Sequence, residues 1–317
     1  MGTPEFAGTV LERLCRTGYD IVACVTQPDK PTGRHMTLTP PPAKIFAESV
    51  HIPVYQPASL RTPEFRDLAA SLKPDLIVTA AYGKILPPGI LSVPVMGCIN
   101  VHASLLPKYR GAAPVQWSIM NGDQVTGVTI MNMDAGMDTG DILMQKEVPI
   151  GPDVHTSELM DTLAAVGAEL LAETLPMYLA GRIVPVRQDD SLAVMSPPIR
   201  KEQGQIDWNK SAFEIHNLIR ALSTWPGAYT FLGGNRLKIY RSSLPENAAA
   251  LFDSYRELNG EPVPGTVLSA SKTGITVSCG SGCVMLLCVQ PESGRRMEVC
   301  DCAHNYRTGE RFNGEAR

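Results

Sequence analysis

The chain has 317 residues, 44% apolar and 19% charged, with a formal net charge of −4. That length exceeds what one hydrophobic core comfortably serves, so two domains are expected. No window approaches the ~18 consecutive apolar residues of a membrane-spanning helix, and no basic stretch followed by an apolar run marks a secretory signal; a cytoplasmic protein is expected.

Thr3-Pro4-Glu5 reads as a helix start, with a hydroxyl cap, a proline in the first turn and an acid at the positive end of the dipole. That helix should run through Val10, Leu11 and Leu14 and stop at Gly18. Residues 20–26 read as a buried strand, 41–50 and 63–73 as helices, and 75–80 and 96–102 as further short strands. Residues 112–120 read as a helix with Arg110-Gly111 at its mouth, followed by strands over 127–132 and 141–148. A long helix over 156–175 places Leu159, Leu163, Val166 and Leu170 on one face, and Pro176 should bend or end it. This alternation is the mark of βαβ units, so the fold class is α/β: a Rossmann-like, mostly parallel sheet in a catalytic domain spanning 1–185.

Residues 186–206 are irregular and polar, carry Pro197-Pro198, and are expected to form a surface linker. Over 207–317 a helix at 211–222 precedes five short alternating strands with Gly-rich turns, which suggests a small C-terminal β-barrel domain, OB-like in size. That segment carries twelve Lys/Arg against eleven Asp/Glu and no dense basic stripe. Of eight cysteines, Cys15, Cys24 and Cys98 fall in apolar patterns, whereas Cys279, Cys283, Cys288, Cys300 and Cys302 crowd the end of the chain. Their C-x₃-C and C-x-C spacings suit no structural metal site, so buried thiols in a reducing compartment are expected, and no metal.

A helix beginning at Pro4 in a doubly wound fold should follow a strand, and such first strands usually lie in the middle of the sheet. The expectation is therefore that the native chain starts several residues before Met1.

The chemistry concentrates between Asn100 and Asp141. Asn100 and His102 stand one step apart on a strand and emerge on the same face. An amide beside an imidazole at a strand end holds a developing oxyanion while a proton moves. Asp138, 36 residues beyond His102 in an Asp-Thr-Gly turn, is placed to return to that imidazole, fix its tautomer and raise its basicity. Such a set performs acyl transfer without a covalent intermediate. Arg110 and Gly111 open a helix whose N–H groups would meet an anion or a carbonyl. Asp134 and Asp141 are weaker candidates, and nothing marks Cys98 as an activated thiolate. No G-x-G-x-x-G or Walker lysine follows a strand, which argues against nicotinamide and P-loop chemistry.

Asn100-x-His102, Ser104-Leu105-Leu106-Pro107, Arg110-Gly111 and Asp138-x-Gly140 together resemble the signature of the folate-dependent formyltransferases. Gly2-Thr-Pro-Glu-Phe6, Gln27-Pro-Asp-Lys-Pro31 with Gly33-Arg34, Tyr82-Gly83-Lys-Ile-Leu86-Pro87 and Trp225-Pro-Gly-Ala228 are similar to the branch that formylates charged initiator tRNA. The resemblance covers nearly the whole chain, Ile206-Asp-Trp208 and the C-terminal barrel included. It implies transfer of a formyl group from 10-formyltetrahydrofolate to the amino group of methionyl initiator tRNA, for translation initiation, by a monomer. Asn100 would donate to the oxyanion, His102 as imidazolium would stabilise it and protonate the departing folate nitrogen, and Asp138 would hold the ring. Ser104, Leu105, Leu106 and Pro107 would border the folate. Lys30, Arg34 and Lys44, in the loop over 30–44, would meet the acceptor stem of the tRNA, and the basic side of the barrel its backbone. Competing readings are a formyltransferase for an amino sugar nucleotide, a hydrolase releasing formate, and an RNA-binding protein with an inactive catalytic domain.

Overall fold

The structure is a computed structural model that describes residues 1–32 and 36–313. Its chain divides into two units, the first made of Met1–Pro114, Val125–Pro149 and Leu159–Pro197, the second of Val115–Gln124, Ile150–Glu158 and the chain from Pro198 onward.

In the first unit the helix Glu5–Cys15 begins where the sequence predicts, but Thr3 does not cap it. Pro4 takes the capping position, and the Thr3 hydroxyl donates to the Tyr82 carbonyl at 3.3 Å while accepting from the Gln27 N–H. The helices Pro42–Ser49 and Pro63–Ser71 each start on proline, and Thr62 caps the second by accepting from the Phe65 N–H. The strand predicted over 20–26 is reduced to Cys24–Val25, paired in parallel with Val54–Tyr55.

A four-stranded sheet carries the chemistry-bearing segment. Its order is Ile77–Ala80, Cys98–His102, Val125–Asn132, Ile142–Pro149; the first pair is parallel and the other two pairs are antiparallel. The turn over 133–141 is too short for the crossover a parallel neighbour needs, so the chain returns as a hairpin. The helix Thr156–Leu179 contains Pro176 and runs past it, further than the sequence predicts.

Met1 and Gly2 lie between Cys24–Val25 and Ile77–Ala80, where the sequence leads one to expect a central strand. The Gly2 N–H donates to Val25 O and the Ala80 N–H to Met1 O, both at 3.0 Å. Alongside them opens a cavity of ≈ 350 Å³ whose walls include Val10, Leu14, Ile21, Phe65, Leu72 and Leu175.

The second unit is a curled antiparallel sheet, as its five predicted strands suggest. Its order is Val267–Ser271, Gly274–Ser278, Cys283–Pro291, Asn235–Ser243, Ala228–Leu232, Phe312–Asn313. The two ends of that path are tied by backbone bonds from Val267 N to Glu310 O and from Phe312 N to Gly265 O, each 2.8 Å, which draws the sheet round on itself. Trp208 stacks on Phe312 in its interior, with ring centroids 5.6 Å apart. The helix Ala212–Ala221 opens with a capping box between Ser211 and Glu214. It carries His216, only 2% exposed, whose Nδ1 lies 2.9 Å from the Ser242 hydroxyl and whose Nε2 lies 3.0 Å from the Pro152 carbonyl. Burial pushes the thiols of Cys279 and Cys283 up to about 12 and about 11. A helix, Ala248–Asn259, was not predicted. Among the described residues no helix is long and apolar enough to cross a membrane.

Candidate active site

The parallel register that sets Thr79 opposite Asn100 puts their side chains in contact. The Thr79 hydroxyl donates to Asn100 Oδ1 at 2.7 Å. With its oxygen engaged, the amide presents its Nδ2 donors, and among the described residues nothing accepts from them.

His102, two residues on, is 6% exposed. Its Nε2 lies 2.9 Å from the Tyr109 carbonyl, and a carbonyl only accepts, so Nε2 carries a proton. Nδ1 is then the nitrogen that gains and loses a proton. It faces Asp138 Oδ2 at 3.7 Å. The sequence suggested that the carboxylate would fix the tautomer; here the Tyr109 carbonyl does so, and Asp138 is a charge beside Nδ1, beyond hydrogen-bond distance.

Asp138 sits in the left-handed region, φ 55°. Its Oδ2 accepts from the Gly111 N–H at 2.9 Å. The Asx-turn role in this loop belongs to Asp134, whose Oδ1 accepts from the Gly136 N–H and the Thr139 hydroxyl. Gly140 has no room for a side chain, because a Cβ there would run into the Asn132 carbonyl oxygen.

Arg110 and Gly111 do not open a helix. They pair in parallel with Met195–Ser196, and the next helix is Pro114–Met120. The four amides from Arg110 to Ala113 are all engaged: Arg110 N donates to Val194 O, Gly111 N to Asp138, and Ala112 N and Ala113 N both to Ser196 O. The Ser196 hydroxyl in turn donates within 3.1 Å of the Tyr109 and Arg110 carbonyls. Gln188 completes this layer. Its Oε1 accepts from Arg110 Nε at 3.0 Å and Nη2 at 2.8 Å, and its Nε2 donates to Asp138 O at 2.9 Å and Gly140 O at 2.7 Å. Arg110 Nη2 also meets Asp190 Oδ1 at 2.8 Å.

The residues 186–206, expected to be a surface linker, thus supply Gln188, Asp190 and Ser196 to the surroundings of His102 and Asp138. Sequence reasoning missed all three, and Thr79. The polar run Gln188-Asp189-Asp190 was the one available signal, and nothing periodic distinguishes it from a solvated loop.

The Ser104–Pro107 turn follows directly. The Ser104 hydroxyl donates to Lys108 O at 2.6 Å, and Thr129 braces the turn by donating to Ser104 O and accepting from Leu106 N. Ser104 and Leu106 are buried; Leu105 and Pro107 are half-buried, with Leu105 lying over Gly127. In the loop over 30–44, Lys30 donates to Gln27 Oε1 at 2.9 Å, and Lys44 is paired with Asp29 at 2.9 Å and with Gln56 Oε1 at 2.8 Å. Gln56 first, then Lys44, hold the Asp29 carboxyl below its ordinary range. Arg34 lies outside the described residues. Burial pushes the Cys98 thiol up to about 11, the opposite of what a nucleophile needs.

Residues 1–175 match the family model described as formyl transferase, and residues 198–307 that of the formyl transferase C-terminal domain. The methionyl-tRNA formyltransferase of Geotalea uraniireducens (strain Rf4) is 47% identical over 307 residues, 97% of this chain and 94% of that relative. The enzyme of the same name from Trichlorobacter lovleyi is 49% identical over 299 residues, 94% and 90% of the two chains. Among solved structures, WlaRD, a sugar 3N-formyl transferase in the presence of dTDP and 5-N-formyl-THF, has a TM-score of 0.64 at 18% identity, covering 93% of this chain and 97% of that one. The N-formyltransferase from Helicobacter canadensis, in complex with folinic acid and dTDP-3-aminofucose, has a TM-score of 0.62 at 19% identity, covering 90% and 96%. At such identities these two likenesses speak for the fold alone. Both domain models and near-half identity along almost the full length agree, and the chain belongs to the methionyl-tRNA formyltransferases, a family of folate-dependent enzymes.

Proposed function

We propose that this chain transfers the formyl group of 10-formyltetrahydrofolate to the amino group of methionyl initiator tRNA by direct attack of the amine, with Asn100, His102 and Asp138 as the catalytic residues. The observation that carries the reading is the Asn100 amide, tied at its oxygen by Thr79 and open at its nitrogen, one strand step from an imidazole of fixed tautomer.

10-Formyltetrahydrofolate supplies the formyl carbon, activated as an amide of a weakly basic nitrogen. The residues present fit such a substrate: Asn100 Nδ2 is, among the described residues, an unoccupied donor on the strand Cys98–His102, and the half-buried Leu105 and Pro107 in the turn that follows would give the folate ring system an apolar edge. Asn100 donates to the oxygen that gains negative charge as the amine nitrogen bonds to carbon, a contribution of ~3 kcal/mol for a donor of this kind. His102 takes at Nδ1 the proton that the amine loses as it bonds to carbon and, as imidazolium, adds its charge to the same stabilisation. Asp138, across from Nδ1, favours that cation and holds the proton lost by the amine close to the path toward the leaving nitrogen. The bond from carbon to the folate nitrogen breaks as that nitrogen takes the proton, so no metal or covalent enzyme intermediate enters the balance.

For the tRNA, the Lys30 ammonium is exposed and, among the described residues, bonded only to a neutral amide, so it is readier than Lys44 to meet a phosphate; Lys44 would have to exchange Asp29 for it. Arg34 completes the proposed set by resemblance.

The test is formyl transfer from 10-formyltetrahydrofolate to methionyl initiator tRNA, with elongator methionyl-tRNA and an amino sugar nucleotide as competing acceptors. Strong preference for the initiator is expected, and His102→Ala should abolish most turnover. Formylation of the amino sugar alone, or formate release without an acceptor, would overturn the reading.

A further inference from the structure

Gln188 makes four hydrogen bonds from a side chain that is almost entirely buried, 6% exposed, and it belongs to a segment that looks in sequence like a surface linker. A guanidinium only donates, so the Gln188 oxygen has to face Arg110 and its NH₂ has to face the two carbonyls. Its orientation is therefore determined by its partners. We infer that Gln188 is a positioning residue that holds the Asp138 carboxylate in place against His102 Nδ1; this rests on the role given to Asp138 above.

The bonds close a ring around Asp138. Its carboxylate Oδ2 is held by the Gly111 N–H, and its carbonyl oxygen is held by Gln188 Nε2. Gln188 Oε1 then returns to the side chain of Arg110, the residue next to Gly111. Both polar ends of Asp138 are thus fixed to the same two residues of one short strand. Asp138 has a positive φ, a conformation that Asp tolerates better than most non-glycine residues and that local hydrogen bonds stabilise. Gln188 steadies it by gripping the carbonyls of Asp138 and Gly140 with one NH₂ group. Without that grip the carboxylate would drift relative to His102 Nδ1.

The experiment compares kcat, KM for each substrate and the kcat–pH profile of the full-length enzyme with those of two variants shown to be folded by near-ultraviolet circular dichroism. Gln188→Glu keeps the acceptor for Arg110 and sets a carboxylate oxygen against the two carbonyls. Gln188→Met keeps the length and removes both arms, and it carries the test if the first variant does not fold. Each is expected to lower kcat about ten- to hundredfold, as a small misplacement of a catalytic group does, to leave both KM values within about twofold, and to move a limb of the kcat–pH profile. Folded variants with wild-type kcat and an unmoved limb would overturn the inference, even if their Tm fell. A wild-type enzyme that does not formylate methionyl initiator tRNA would instead sink the reading on which it rests, and that measurement comes first.

Discussion

Thr79 holds Asn100 by a single hydroxyl, so the proposed oxyanion donor depends on a group that a single substitution removes without changing shape. Thr79→Val is nearly isosteric and leaves the Asn100 oxygen without its donor. The amide is then free to rotate its nitrogen away from the substrate. Losing one such bond is worth about 1–1.5 kcal/mol, which predicts a fall in kcat of about tenfold with KM unchanged. Thr79→Ser keeps the hydroxyl and should stay near the wild-type rate. Steady-state kinetics of the two variants decide it, and equal rates for Val and wild type would mean that another group orients the amide. At this scale the sequence shows the residues whose chemistry is intrinsic. Asn100 and His102 stand out through strand alternation, and Asp138 through its turn. Thr79, Gln188 and Ser196 stay hidden because each acts through a partner distant in sequence. A hydroxyl or amide that bonds a remote carbonyl leaves no periodic trace.

Among the elements, the Asp138–Gly140 turn is the most tightly determined. Gly140→Ala would drive a Cβ into the Asn132 carbonyl, a backbone atom that cannot swing aside as a flexible side chain does. Overpacking of this kind destabilises by about 1–3 kcal/mol, and the shift would also carry Asp138 away from His102. A lower urea midpoint together with a lower kcat is the expected result; an unchanged midpoint would mean that the turn has slack. Helices were legible where proline, threonine or serine marked their starts, as at Pro42, Pro63 and Ser211. The helix Ala248–Asn259 was not, although Ala248, Leu251, Phe252 and Tyr255 follow a helical period and pack with Leu268 and Cys283. The strand over 20–26 illustrates the reverse case. Its apolar run promises seven residues, but the paired strand is only Cys24–Val25, and Asp20, Ile21, Val22 and Ala23 border the cavity beside Met1 and Gly2.

For the molecule as a whole, apolar and charged patterning foretold an α/β sheet unit and a curled antiparallel one, while the way segments interleave between the two units leaves no mark in local sequence. The second unit also joins stability to acidity through His216. Burial first of all holds its pKa below the ordinary value for histidine, outweighing the carbonyl of Pro152 and the charge of Asp153, which both act to raise it. The neutral ring suits its partners, with Nε2–H donating to Pro152 and Nδ1 accepting from Ser242. His155, also lowered mainly by burial, lies in the same segment. A histidine whose folded pKa lies below its unfolded value binds fewer protons when folded. Its contribution is therefore complete above the unfolded value of about 6.5 and is lost as the pH falls from there through the folded pKa. Urea midpoints should fall between neutral pH and pH 5, and His216→Asn should flatten that slope; an equal slope in the variant would count against His216 as its source. A buried ring that ties helix, strand and loop together thus makes this unit a proton acceptor whenever it opens, so mild acid favours its unfolding by mass action.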